Sequence, residues 1–330
     1  GATYNKDNWL SDIVTKVELV DGSDVLESLS MTQLEALHFY KMGQTPTLLP
    51  SEWASGLQRH AAMLLFGRYL WDQEYAFDPV RFKNPQLKVT FNKAAIRAAS
   101  ATGFATGDNI KLTVVAKVME EIGAKPTKFL MQKQIDSFTL GTSGDKRVEL
   151  PTDYPYRLAL FRAWLQGSDI DECVSNLKLT CDTDKFIMFD RKVKQLDTEA
   201  LATFGFVGPF KHDIFRAHGA TIRLLCNKEP AVTVVNKDSD ADIYLVNWEW
   251  SSQFYLSIST HAGANQGTTK KMTIKENGHA IHATWPVIFG ELAKPETWFD
   301  ATRYKKVEAV LTQAAAGAFS LVLEQSRPLP

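Results

Sequence analysis

Hydrophobic and polar residues alternate along most of this chain. In Ile13-Val14-Thr15-Lys16-Val17-Glu18-Leu19 the alternation sets Ile13, Val17 and Leu19 on one side and Lys16 and Glu18 on the other. Lys111-Leu112-Thr113-Val114-Val115-Ala116-Lys117-Val118 repeats it, with Leu112, Val114, Ala116 and Val118 inward. Ala220-Thr221-Ile222-Arg223-Leu224-Leu225-Cys226 and Asp242-Ile243-Tyr244-Leu245-Val246-Asn247-Trp248 continue the pattern. A period of two, rich in β-branched and aromatic residues and punctuated by Gly, Asn and Asp, predicts antiparallel strands. Asn277-Gly278, between Lys271 to Glu276 and His279 to Trp285, predicts a tight hairpin, because that pair tolerates the positive φ such a turn requires. Pro/Gly loops are expected at Gln44 to Pro50, Gly123 to Pro126, Gly141 to Gly144 and Asn265 to Gly267.

Two helical segments interrupt the strands, in matching contexts. Ser30 and Gln33 form a capping box ahead of Met31 to Lys41, and Gly43 ends that run. Asp197 is placed to cap Thr198 to Phe204, which Gly205 ends. Each helix follows strand, Asp-rich turn, strand: Lys16 to Leu29 around Asp21-Gly22-Ser23-Asp24, and Asn176 to Phe189 around Asp182-Thr183-Asp184. This is an internal repeat offset by about 160 residues, and it predicts a tandem of one β-fold. The linker is expected at Glu121 to Pro126, with the extra length of the second unit in loops between Phe206 and Gln266.

Length agrees with two units, since 330 residues exceed the roughly 250–300 at which one core stops growing. At 45% hydrophobic and 23% charged, both units can bury substantial cores. A net charge of −1 argues against a strongly basic nucleic-acid groove. Cys173, Cys181 and Cys226 are odd in number and lack CxxC spacing, so they are expected as reduced core thiols of a chain made in a cytosol. No apolar run reaches the ~20 residues of a membrane-spanning helix. The chain opens Gly1-Ala2-Thr3 without Met or a signal-peptide pattern, which suggests a processed start or a tag remnant.

Candidate chemistry is sparse. His279 and His282, three apart on an expected strand, point to opposite faces and read as ordinary strand residues. His212 and His218 need a helix to align them, and Gly219 opposes one. Asp238, Asp240 and Asp242 resemble the opening of a calcium loop but lack a glycine at its sixth position. A solvated loop is the expectation there, with ion binding left open. Asp182 and Asp184 give a weaker signal of the same kind. Trp248 and Trp250 share a strand face with Tyr244 and Val246, the pattern of a core or subunit interface; an exposed sugar platform is the alternative. No GxSxG, HExxH or P-loop pattern occurs, so no catalytic, cofactor-binding or metal residue is assigned.

The run Asn84-Pro85-Gln86-Leu87-Lys88-Val89-Thr90-Phe91-Asn92, followed by Ile110 to Glu120, resembles double jelly-roll viral major capsid proteins. So does Val148 to Ala163 leading into Val174-Ser175-Asn176-Leu177-Lys178-Leu179-Thr180-Cys181-Asp182. The resemblance covers residues 80–190. It implies an all-β chain with short helices: two tandem eight-stranded jelly-roll β-sandwiches, residues 1–124 and residues 125–330, the second with longer loops. It further implies a structural, non-enzymatic role without a cofactor, as a homotrimer forming a pseudo-hexagonal tile of an icosahedral shell. Partners would be its own copies, then penton and minor capsid proteins. In lineages resembling the tectiviruses, corticoviruses and small lipid-containing bacteriophages, an internal lipid membrane lies beneath the shell. No sequence-specific nucleic-acid contact is implied. The place would be the virion capsid after synthesis in the host cytoplasm, with Tyr4 to Ser11 low, near a membrane or a neighbouring tile. Two other classes stay open: a hydrolase resembling two-jelly-roll glycan amidases, and a carbohydrate- or receptor-binding virion β-sandwich.

Overall fold

A computed structural model describes residues 9–51, 58–92, 111–120, 123, 125–247, 252–260 and 262–330. The first part of the chain forms α1 (Leu10–Ile13), β1 (Val14–Asp21), β2 (Asp24–Leu29), α2 (Met31–Met42), β3 (Thr47–Leu49), β4 (Arg59–Ala61) and β5 (Pro85–Phe91). The second part begins with β6 (Lys128–Thr139), β7 (Asp145–Leu150), β8 (Tyr156–Trp164), α3 (Ile170–Cys173), β9 (Val174–Cys181), β10 (Phe186–Lys192) and α4 (Val193–Phe204). Next come β11 (Val207–Arg216), β12 (Ala220–Arg223), β13 (Cys226–Lys237), β14 (Asp242–Asn247), β15 (Gln253–Ser259) and β16 (Lys270–Ile281). The chain closes with β17 (Thr284–Ile288), β18 (Val307–Gln313) and β19 (Ala318–Pro328).

In the second part, β17-β8-β19-β6 and β10-β9-β18-β7 are two antiparallel four-stranded layers, the arrangement of a jelly roll. Their inward residues make one core, in which Trp285 stacks on Phe161 at 5.5 Å and packs with Leu177, Leu179, Leu311 and Leu321. The first layer continues past β6: Ser28 of β2 bridges Lys133 in parallel, and β1 and β5 extend it to seven strands. The segment from β11 to β16, where the second unit's extra length is expected in loops beside the strands at Ala220 to Cys226 and Asp242 to Trp248, carries six strands among the described residues. It builds the three-stranded sheets β11-β16-β13 and β12-β15-β14 around Ile214, Phe254, Leu256, Ile258, Met272 and Ile274.

The internal repeat is present, with a turn two residues longer in the second copy. α1 and β1 start at 10 and 14, α3 and β9 at 170 and 174. In the hairpin β1–β2, Asp21 pairs with Asp24, and the register slips after Val20–Val25 so that Leu26 is skipped. In β9–β10, Cys181 pairs with Phe186, and the slip after Thr180–Ile187 skips Met188. Each hairpin then enters a twelve-residue helix, α2 or α4. Repeated register and bulge mark one fold used twice.

Some sequence expectations are corrected. Asn277-Gly278 is not a hairpin turn: β16 runs straight through it, pairing Asn277 with Ala231 and Gly278 with Val207. Glycine is needed there for close approach, because a Cβ on Gly278 would lie 2.6 Å from Cys226 Cβ and 3.0 Å from the Lys228 carbonyl oxygen. The chain reverses instead at His282 and Ala283, with φ of 53° and 58°. Gly278→Ala is therefore expected to cost about 1–3 kcal/mol through overpacking, read as a lower urea midpoint; an unchanged midpoint would mean the strands part freely. The second helix starts at Val193, and Asp197 is not its cap but a buried residue inside it, 3.3 Å from His279. Residues 111–118, expected as a strand, carry no strand pairing among the described residues. Cys173, Cys181 and Cys226 are free and buried, as expected of core thiols.

Candidate interaction surface

Helix α2 fixes the junction between the two parts. The Ser30 side chain accepts from the Gln33 amide, the Gln33 side chain accepts from the Ser30 amide, and Gly43 ends the helix in the left-handed region. From this frame Gln33 donates to Gln134 at 2.7 Å and to Ser320 at 3.0 Å, across to β6 and β19. At the other end Lys41 and Arg157 both pair with Glu324, all three buried. Nearby Glu27 accepts from the Gln132 amide at 2.8 Å. Burial pushes the Glu27 carboxyl well above its ordinary range, against the pull of Lys41.

A second polar cluster surrounds Glu35. Glu35 meets His60 Nδ1 at 2.9 Å and His282 Nε2 at 2.6 Å, and His212 Nε2 meets Glu276 at 2.6 Å. Burial alone would raise the Glu35 carboxyl, but the hydrogen bonds from His282 and His60 outweigh it and bring it down to about 2. Trp9 packs edge-on to His212 at 6.2 Å and lies under the Arg223 guanidinium at 4.2 Å. With 6% of its surface exposed, Trp9 is a core residue rather than a membrane-facing one. Of the histidines singled out by sequence, His279 faces Asp197 and His218 accepts from the Ile258 amide. Neither pair, His279 with His282 or His212 with His218, is brought onto a common partner. These groups hold the interior together, and among the described residues no cluster of three or more His, Cys, Asp or Glu has metal-binding geometry.

The acidic loop is likewise engaged with lysines. Asp240 pairs with Lys270 at 2.6 Å, Asp242 lies 3.6 Å from Lys237, and Asp238 accepts from the Lys271 amide at 2.9 Å. Lysine ammonium groups thus answer Asp240 and Asp242, and a backbone amide answers Asp238. Asp182 caps the backbone amides of Lys305 and Lys306. Trp248 and Trp250 lie outside the described residues.

The contrast between the two repeats defines the surface of interest. Nine of the twelve residues of α2 are buried, against three in α4: Val193, Leu196 and Asp197. On β2, Leu26 and Glu27 are fully buried beside β6, whereas their counterparts Met188 and Phe189 on β10 are half-buried. Phe186 and Ile187 are 45% and 47% exposed on the outer strand of their sheet. Beside them lies an open groove of about 550 Å³. Along it Phe186, Tyr304, Phe299 and Phe289 stack in series with centroid spacings of 5.8, 5.5 and 5.9 Å. Its rim carries Asp300 paired with Arg303 at 2.8 Å, and the neighbouring depression beside α4 carries Arg191 bonded to Glu199. An apolar centre with a paired-charge rim is the composition of a protein interface. Sequence reasoning missed this surface; the only signal was the pair Phe186-Ile187 at the strand whose counterpart reads Asp24-Val25.

No family model matches the sequence, and no curated protein matches it. Solved structures do. The STIV major capsid protein superimposes with a TM-score of 0.51 at 14% identity, covering 100% of this chain and 84% of that one. The major capsid protein P2 of bacteriophage PM2 gives 0.49 at 9% identity, covering 98% and 84%. VP54 of PBCV-1, as fitted into a reconstruction of the virophage Sputnik, gives 0.44 at 8%, covering 98% and 82%. At such identities the likeness, carried by the STIV protein, is one of fold: the double jelly roll.

Proposed function

We propose that this chain is a major capsid protein, a structural subunit that acts by assembly and not by catalysis. The observation that supports this most is the unequal covering of the two repeats. The β2–α2 face of the first unit is closed by the second unit of the same chain, and the equivalent β10–α4 face of the second unit is left apolar and open. A fold repeated in tandem, with one of two equivalent faces satisfied internally, is built to have the other satisfied by the next copy. Such a head-to-tail contact generates a ring when the rotation between copies closes and a filament when it does not. In this reading the ring is a homotrimer of double jelly rolls, a pseudo-hexagonal tile, with residues 1–124 and 125–330 as its two units. Tile-to-tile contacts, then penton and minor capsid proteins and an underlying membrane, would be its further partners, with the virion shell as its place.

The test is a substitution at the open face. Phe186→Asp removes an aromatic anchor from the centre of the proposed contact and leaves both cores untouched. We expect about a 30-fold or greater loss of self-association, the scale of an interface hot spot, in analytical ultracentrifugation, with the thermal midpoint of the subunit unchanged. Undiminished association would remove this face from the contact.

A further inference from the structure

The first unit is the lesser half of a jelly roll, and its repeat partner shows what it lacks. In the second unit β18 pairs Val307 with Cys181, Ala309 with Leu179 and Leu311 with Leu177, and skips Ser175 before Gln313 meets Val174. In the first unit β5 pairs Pro85 with Asp21, Leu87 with Leu19 and Val89 with Val17, and skips Thr15 before Phe91 meets Val14. Register and bulge coincide at the 160-residue offset, so β5 is the equivalent of β18. Yet β18 lies between β9 and β7, whereas β5 ends its sheet among the described residues. Ala309 is fully buried, and Leu87 in the same register is 43% exposed.

The next segment tells the same story. After β18 comes β19, which lies between β6 and β8 with Phe319, Leu321 and Leu323 buried. After β5, the next alternating apolar segment is residues 111–118. Leu112, Val114, Val115 and Val118 there are 55%, 61%, 78% and 68% exposed, and no described residue pairs with their backbone. A segment with exposed apolar side chains, whose backbone no described residue pairs, is an acceptor for strand addition.

We propose that the first unit is a strand acceptor, completed by a polypeptide segment outside residues 1–330 that carries three β-strands equivalent to β6, β7 and β8. Two of these flank residues 111–118 and the third adds to the free edge of β5, all antiparallel, covering Leu87, Leu112, Val114 and Val118. A second copy of this chain is not the donor, because in every copy β6, β7 and β8 are already paired within the second unit. The inference rests on the internal repeat alone and holds whether or not the chain builds shells.

Hydrogen exchange read by mass spectrometry tests it on two chains. In the 330-residue chain, amides of residues 111–118 are expected to exchange at unprotected rates while those of β18 and β19 stay protected. In a second chain, a duplicate of residues 126–164 is joined ahead of residue 4, where the 160-residue offset places the end of β8. There the amides of residues 111–118 are expected to exchange at least tenfold more slowly. Protection already present in the 330-residue chain would overturn the proposal: in a monomer the unit closes itself, and in a homo-oligomer a second copy closes it. Failure of the grafted strands to slow exchange at residues 111–118 would overturn it as well.

Discussion

Glu324→Ala is expected to cost about 3–5 kcal/mol of stability, the scale for stranding charge in a dry interior. Glu324 is fully buried and accepts from both Lys41 and Arg157, themselves buried. Burial pushes the Lys41 ammonium down, and Glu324 is what chiefly holds its proton. Removing the carboxylate leaves two cations whose other partners are neutral carbonyls: Leu65 for Lys41, and Leu292 and Arg68 for Arg157. Because Lys41 belongs to α2 while Arg157 and Glu324 belong to β8 and β19, the damage falls on the junction between the two units. Urea unfolding checks this against Arg191→Ala, which breaks an exposed pair with Glu199 and is expected to cost under ~1 kcal/mol. Equal effects of the two substitutions would mean that the junction is wet.

Acid should loosen the second polar cluster. The Glu35 carboxyl stands at about 2 in the folded chain against an ordinary 4.5. A depressed carboxyl contributes stability that is fully present above its unfolded value and is lost as pH falls toward its folded one. Glu35 therefore contributes about 3 kcal/mol at neutral pH by linkage, lost progressively between about pH 4.5 and about 2. Glu35→Gln cannot titrate, so its stability should fall less steeply than that of the parent across that window. Parallel pH profiles for the two proteins would show that His60 and His282 do not hold this carboxylate.

The parts of the fold legible in sequence were those written locally. The capping box at Ser30 and Gln33, the closing Gly43 and each copy of the strand–turn–strand–helix unit lie within short windows and are present. Where sequence misled, a distant contact had decided the matter. Asn277-Gly278 is good turn chemistry, but Cys226 packs on that glycine from another strand. Asp197 looks like a cap, but it is buried against His279. Asp238, Asp240 and Asp242, expected as a solvated loop, meet the Lys271 amide and the Lys270 and Lys237 side chains. The Glu35 cluster draws residues 25 and 247 positions away, and no spacing rule reaches that far. The open β10–α4 face could not be read at all, because it is defined by comparison with a covered twin.

The oligomeric state tests the central claim most directly, measured by analytical ultracentrifugation and negative-stain imaging on the 330-residue chain and on the form carrying the grafted strands. A trimer of hexagonal outline in at least the closed form, lost on Phe186→Asp, is the predicted result. A monomer in both forms would contradict the account.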